Sequence, residues 1–253
     1  MRRLALVGCV AAVAGSLMAA PAEAGRIVVA NDEWTLSNAG FSGPNDPATF
    51  VLNVATWFNG GGPGDFHAYS TNFGLTQSSL SSTMTGAGHT WTMGTGIAWN
   101  LPTLQTYDGI FLAGNAVPDT AVLIAYVNAG GNVYLAGGTG AGGAAAEAAT
   151  WNPFLNAFGL GFAPFYNGVC SAACDVAISN GHPIFNGVDH LYQWNGNNTL
   201  DLDLSDPRNA VLVSSGTDGL YAVYDPVPEP GTMLLMSMGL GALGVRRLRK
   251  YRR

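Results

Sequence analysis

Charge is what this 253-residue chain has least of: 10% of its residues are Asp, Glu, Lys or Arg, against about 25% in an average soluble domain. Bases are scarcer still inside it, because Arg2, Arg3, Arg246, Arg247, Arg249, Lys250, Arg252 and Arg253 all lie at the two extremes. Between residues 25 and 225 only Arg26 and Arg208 face fourteen carboxylates, a net of −12. Such a body repels phosphate backbones, which excludes nucleic acid as a partner. Cysteine is nearly absent, with Cys9, Cys170 and Cys174 the whole supply. The four histidines show no His-x-x-x-His spacing, so no metal site is expected. No regular threonine array is present to bind ice. What is plentiful is apolar: 48% of residues are hydrophobic and 10% aromatic, with 35 glycines, which excludes disorder, collagen and coiled coil as overall classes.

The chain divides at its ends into 1–24, 25–225 and 226–253. Arg2 and Arg3, the apolar run Leu4–Ala14 and the small residues closing on Ala22-Glu23-Ala24 have the layout of an export signal, with signal peptidase cutting before Gly25. Cys9 lies inside the apolar run, not at a lipid-attachment position. At the other end, Val227-Pro228-Glu229-Pro230-Gly231 precedes an apolar stretch, Thr232–Val245, and a basic cluster from Arg246 to Arg253. Fourteen helical residues reach roughly 21 Å, short of the roughly 30 Å hydrocarbon core. The stretch becomes a membrane span if the basic stems snorkel, and the positive-inside rule keeps the tail in the cytoplasm. The prolines hold the preceding segment extended and open to a processing enzyme.

Pro-Glu-Pro, a short span and a basic cluster, in that order and behind an export signal, resemble the PEP-CTERM sorting signal of Gram-negative bacteria that make exopolysaccharide. The resemblance covers about residues 226–250. It implies recognition of Val227–Gly231, Arg246 and Arg247 by an exosortase, a membrane cysteine transpeptidase. The protein would be held briefly in the inner membrane with its C-terminus cytoplasmic, cut near the Pro-Glu-Pro, and passed to the cell surface or the medium.

Within the exported body, Cys170-Ser-Ala-Ala-Cys174 is expected to close a structural disulfide in an oxidising compartment, since a redox pair favours two intervening residues and zinc would need two further ligands. Periodicity predicts a strand at 26–30. A helix is predicted from the cap Asp46-Pro47 through Phe50, Val51, Val54, Trp57 and Phe58 to Gly60. A strand at 66–69, a helix at 76–84, an edge strand at 89–93 and a buried strand at 107–114 are predicted next. A helix carrying Val122, Leu123, Tyr126 and Val127 leads to a strand at 132–136, and a helix from Ala144 is expected to break at Pro153. Leu191–Asp225 reads as terminal strands, with Asp201, Asp203 and Ser205 on one face and Leu200, Leu202 and Leu204 on the other. Strand and helix alternating through short glycine-rich joins give an α/β fold with a parallel sheet flanked by helices.

Tyr107-Asp108-Gly109-Ile110, the strand Gly130–Leu135 and His182-Pro183-Ile184-Phe185 with Gly187 resemble the class I glutamine amidotransferase-like branch of flavodoxin-like folds, over about residues 26–190. That resemblance implies a cysteine nucleophile in the turn after the strand and a histidine with a nearby acid. Here the turn is Gly137-Gly138-Thr139-Gly140-Ala141, and Ile184 stands two residues after His182. The covalent route is therefore lost, and Thr139 has no identified base. Gly138, Gly140 and Gly143 match a dinucleotide-binding spacing, but no acid follows at the distance a ribose would require, and no cofactor is expected. Gly138, Thr139, Gly140 and His182 remain as candidates for a small anionic or sugar ligand. Asp201, Asp203, Ser205 and Asp206 lack the glycine and terminal glutamate of a calcium loop and are read as a solvated strand face. Trp34, Trp91, Trp99, Trp151 and Trp194, with Tyr192 and Asn195–Asn198, suit stacking on sugars if they are not core. The body is thus expected to be a non-catalytic binding or scaffold module associated with exopolysaccharide. The alternative is an extracellular hydrolase of glycans or peptides acting through a carboxylate pair, Asp108 with Asp189 or Glu147.

Overall fold

The computed structural model describes residues 24–170 and 174–226. The expected export signal up to residue 23, and the sorting segment from Val227 with Pro228, Glu229, Pro230, Gly231, Arg246 and Arg247, lie outside the described residues. Among the described residues no helix is long and apolar enough to cross a membrane.

In chain order the elements are β1 (Ile27–Ala30), α1 (Pro47–Asn59), β2 (Asp65–Tyr69), α2 (Phe73–Thr76), α3 (Ser78–Gly86), β3 (Thr90–Met93), α4 (Leu101–Leu104), β4 (Gly109–Ala113), α5 (Thr120–Asn128), β5 (Asn132–Ala136), α6 (Ala144–Leu155), β6 (Leu160–Tyr166), β7 (Asp175–Ala177), β8 (His190–Tyr192), β9 (Asn197–Asp201), β10 (Asn209–Ser215) and β11 (Asp218–Tyr224). Seven strands form the main sheet in the order β10-β11-β1-β5-β4-β2-β3. Five of them, β1 to β5, run parallel, and the hairpin β10–β11 adds an antiparallel margin against β1. Gly216, at φ +61°, opens the two-residue turn of that hairpin. The pairs β6–β9 and β7–β8 form two small antiparallel ribbons.

The apolar runs of β1, β4 and β5 are buried along their whole length, as strands covered on both faces must be. Val28, Ala30, Phe111 and Tyr134 point to one face, beneath α1, with Phe50, Val54, Phe185 and Tyr221. Ile27, Val29, Ile110 and Leu135 point to the other, beneath α5 and α6, with Tyr126, Trp151 and Phe154. Phe111 anchors the first face: it stacks on Tyr134 at 5.0 Å and meets Trp91 edge-on at 5.0 Å. Burying one such ring contributes about 2–3 kcal/mol. Asn132 ties the opposite end of the sheet together, donating to the carbonyls of Phe58 and Asp108 and accepting from the Arg26 amide.

Several expectations need correction. The parallel strands lie in the order β3-β2-β4-β5-β1, not the flavodoxin order 2-1-3-4-5. The two coincide only if the first strand is moved to the place of the last. Pro153 does not break α6, which continues to Leu155. The proline falls in the last turn and is exposed, so the carbonyl it leaves unpaired, that of exposed Ala149, meets water. The predicted 76–84 helix is two helices divided at Gln77. Asp46 precedes α1, but its side chain does not cap it; Oδ2 accepts instead from the amides of Asp189 and His190, at 2.9 and 3.1 Å. The alternation Leu200–Ser205 is not one strand. β9 stops at Asp201, Leu204 is 90% exposed, and the carboxylates of Asp201 and Asp203 each accept from the amide two residues on, which bends the chain into turns.

Candidate functional site

The sheet topology points to where a site should lie. β1 and β5 are neighbours, yet β1 hands the chain to α1 on one face and β5 hands it to α6 on the other. The chain therefore parts above their C-terminal ends, the place where open α/β sheets bind ligands. β1 ends there in Asn31-Asp32-Glu33, and β5 ends in Gly137-Gly138-Thr139.

Three carboxylates gather at this edge. Asp32 is fully buried. Its Oδ1 accepts from the amide of Trp34 at 2.8 Å, and its Oδ2 accepts from the amide of Trp194, with Asn195 contributing a further backbone donor. Burial lifts its pKa to about 6 despite these donors, and Glu147 adds to the rise. Glu33 is 6% exposed and accepts from the Asn72 amide group through Oε2. Desolvation brings its pKa to about 7, opposed by the Asn72 hydrogen bond and reinforced by the charges of Asp32 and Glu147. Glu147, on the first turns of α6 and 2% exposed, takes the amide of Thr139 at 2.7 Å and the Thr139 hydroxyl on Oε1, and the Tyr166 hydroxyl at 3.4 Å on Oε2. Its pKa too is raised, chiefly by burial.

Aromatic rings surround the same segment. Trp34 meets Phe73 edge-on at 4.7 Å and lies 5.8 Å from Trp194 and 6.3 Å from Tyr192. Trp194 is 49% exposed, although Asp32 fixes its backbone. Gly196, two residues on, packs so closely on Asn31 that a Cβ would overlap the Asn31 carbonyl.

Of the residues singled out from the sequence, the structure puts Gly138, Thr139 and Gly140 at this edge. Thr139 is held by Glu147 and has no histidine beside it. His182 is elsewhere: it meets Trp57 edge-on at 5.0 Å, near Arg26 at the start of β1, and caps the turn Pro183–Phe185. Neither carboxylate pair of the hydrolase alternative converges. Asp108 accepts from the Asp65 amide where β4 begins, Asp189 is in an exposed turn beside Asp46, and Glu147 stands at the opposite end of the strands. Asp32, Glu33, Asn72 and Tyr166 were not anticipated. The signal that could have found them is an acidic pair immediately after the first buried strand of a parallel unit. Among the described residues no group of three His, Cys, Asp or Glu could hold a metal ion.

Cys170 and Cys174 lie at disulfide distance, with Cα atoms 4.4 Å apart. They bracket the Trp194 segment: the Cys170 amide donates to the Trp194 carbonyl at 3.0 Å, and the Gln193 amide to the Cys174 carbonyl at 2.7 Å. A cross-link closing so short a loop contributes about 2 kcal/mol. Cys170→Ser with Cys174→Ser is expected to lower stability by that amount and to speed amide exchange at Gln193–Asn195. Unchanged exchange there would separate the cross-link from the site.

Residues 226–250 match the PEP-CTERM protein-sorting motif. No curated protein and no solved structure matches the chain. The amidotransferase-like reading of the body thus gains no structural counterpart, while the α/β architecture itself is observed. The sorting motif indicates an exported, membrane-transiting protein that exosortase delivers to the cell surface.

Proposed function

We propose that the body of this exported protein is a glycan-binding module that holds exopolysaccharide at the C-terminal edge of its parallel sheet, without catalysis. The observation that carries the reading is Trp194: a half-exposed indole with its backbone clamped by the buried Asp32, next to Trp34 and Tyr192. Large apolar rings held rigidly in the open suit the flat faces of sugars, and the neighbouring Asn, Thr and Tyr groups suit their hydroxyls. The hydrogen bonds made by Asp32 and Glu147 suit a structural role that supports binding. Both oxygens of Asp32 and both of Glu147 accept hydrogen bonds from the chain itself, which fits acids that hold the Trp194 and Thr139 segments in place.

One observation favours a hydrolase instead. Glu33 has a pKa of about 7, suited to donating a proton at neutral pH. A panel of polysaccharides, assayed for binding and for new reducing ends, separates the two. Binding without cleavage, weakened about tenfold or more by Trp194→Ala, is the expected result. Cleavage lost in Glu33→Gln would establish the enzyme, and binding indifferent to Trp194 would displace the site.

A further inference from the structure

We infer that the glycan received at this edge carries positive charge, and that Glu33 and the surrounding rings select the protonated 2-amino group of a de-N-acetylated hexosamine unit. This rests on the glycan-binding reading and specifies its substrate class.

The first support is the distribution of charge. Asp32, Glu33 and Glu147 gather where β1 and β5 end, and no base among the described residues joins them. Arg26 pairs with Asp225 at 3.2 Å and lies over Trp57 at 5.0 Å; Arg208 pairs with Asp206 at 2.7 Å and lies over Tyr224 at 5.4 Å. A uronate, sulfate or phosphate on the sugar would meet three carboxylates and no cation. The second support is an oxygen left over. Glu33 is more than nine-tenths buried and its Oε2 is taken by Asn72, while Oε1 accepts from no side chain or amide of the described residues and is not among the oxygens sealed from solvent. A carboxylate oxygen that the protein leaves without a donor but open at the edge can take one from a ligand, and a charged donor binds it most strongly. The third is the aromatic company. Trp34 follows Glu33 directly, Phe73 follows Asn72, and Tyr192 and Trp194 complete the group. Ring faces attract ammonium groups, most strongly when water is excluded. The carboxylates are not arranged to chelate a metal ion, so the cation they suit is one that donates hydrogen bonds.

A pH signature follows. The titratable groups facing Glu33 are Asp32 on its own segment, Glu147 from α6 and Tyr166 from β6, with the uncharged Asn72 following β2. All are acids, so nothing but the ligand neutralises the ionised form. Glu33 must give up its proton to receive an ammonium group. Affinity therefore falls on the acid side as Glu33 protonates, and on the basic side as the amine loses its charge.

The test is calorimetric titration of the full mature protein with three oligosaccharides of equal length: glucosamine, N-acetylglucosamine and galacturonate oligomers, across pH 5 to 8. The free-amine oligomer is expected to bind about tenfold tighter than its acetylated counterpart, with a bell-shaped pH profile. Glu33→Gln should erase the preference and the acid limb. Asp203→Asn, which removes a charge far from the edge, should leave both intact. An amine oligomer no tighter than the acetylated one, a preference that survives Glu33→Gln, an equal loss in Asp203→Asn, or tightest binding of the uronate would each overturn the inference. Acetylated oligomers held through Trp194 without an amine preference would leave the glycan-binding reading standing. Failure of every oligomer to bind would remove both.

Discussion

Replacing Glu33 with glutamine is expected to stabilise the folded protein by about 3 kcal/mol at pH 8 and by almost nothing at pH 4. The side chain is buried, and its pKa rises from 4.5 to about 7 on folding. Between those values the native state holds a proton that the unfolded chain has released. Stability contributed by the protonated form is therefore fully present below the unfolded pKa and is lost as pH rises through the folded one. Asp32, at about 6, and Glu147, also raised, act in the same direction. His67, His89 and His182 have lowered pKa values and act oppositely: the stability they contribute is lost as pH falls below the ordinary histidine value. The wild-type pH curve mixes both sets, so the informative quantity is variant minus wild type. Urea unfolding at pH 4, 6 and 8 measures it. A difference that does not grow with pH would mean that Glu33 is not the desolvated acid described above.

Changing Pro228, Glu229 and Pro230 together to alanine is expected to abolish processing in a host that carries exosortase. The protein should then keep its full C-terminal mass and stay with the inner membrane. The expectation follows from the match over residues 226–250 and from two physical features of the segment. Prolines on both sides of the glutamate are expected from the sequence to disfavour a helix there. The basic cluster that follows is expected from the sequence to resist crossing the bilayer, which would halt the chain with that stretch outside. Mass spectrometry of inner-membrane, surface and medium fractions reads the result. A variant with the same mass and destination as wild type would show that the Pro-Glu-Pro plays no part in sorting.

Much of the fold was legible because strands buried on both faces are continuous apolar runs, and few other structures require them. Ile27–Ala30, Gly109–Ala113 and Asn132–Ala136 fall where the sequence put them. So does α1, which a proline opens and Gly60, at φ +76°, closes. Local rules misled where a side chain had a better partner at long range. Asp46 has the look of a cap, but it binds backbone more than 140 residues away. The alternating acids after Leu200 look like one face of a strand, but short carboxylates bond their own backbone and turn the chain. Strand order was hidden for a related reason. Periodicity identifies a strand but not its neighbour, so nothing in Ile27–Ala30 tells that it pairs with β5 and β11.

The site was half legible. Gly138–Gly140 could be found as a glycine-rich turn after a strand, and Trp194 as an aromatic in a polar stretch. Their meeting with Asp32 and Glu33 depends on a contact 162 residues apart, between the Asp32 carboxylate and the Trp194 amide. His182 was grouped with Thr139 by family resemblance, and the chain sends it to the other end of β1.

The most direct test of the account is a hydrogen-exchange footprint of the full mature protein with and without a saturating oligosaccharide chosen from the polysaccharide panel. Protection is expected at Asp32–Thr35, Gly138–Gly140 and Tyr192–Gly196, with the Asp201–Arg208 turn and the far end of the sheet around Trp57 and His182 unchanged. Protection confined to those distant segments, or none at saturation, would contradict the claim that this protein meets its ligand where β1 and β5 part.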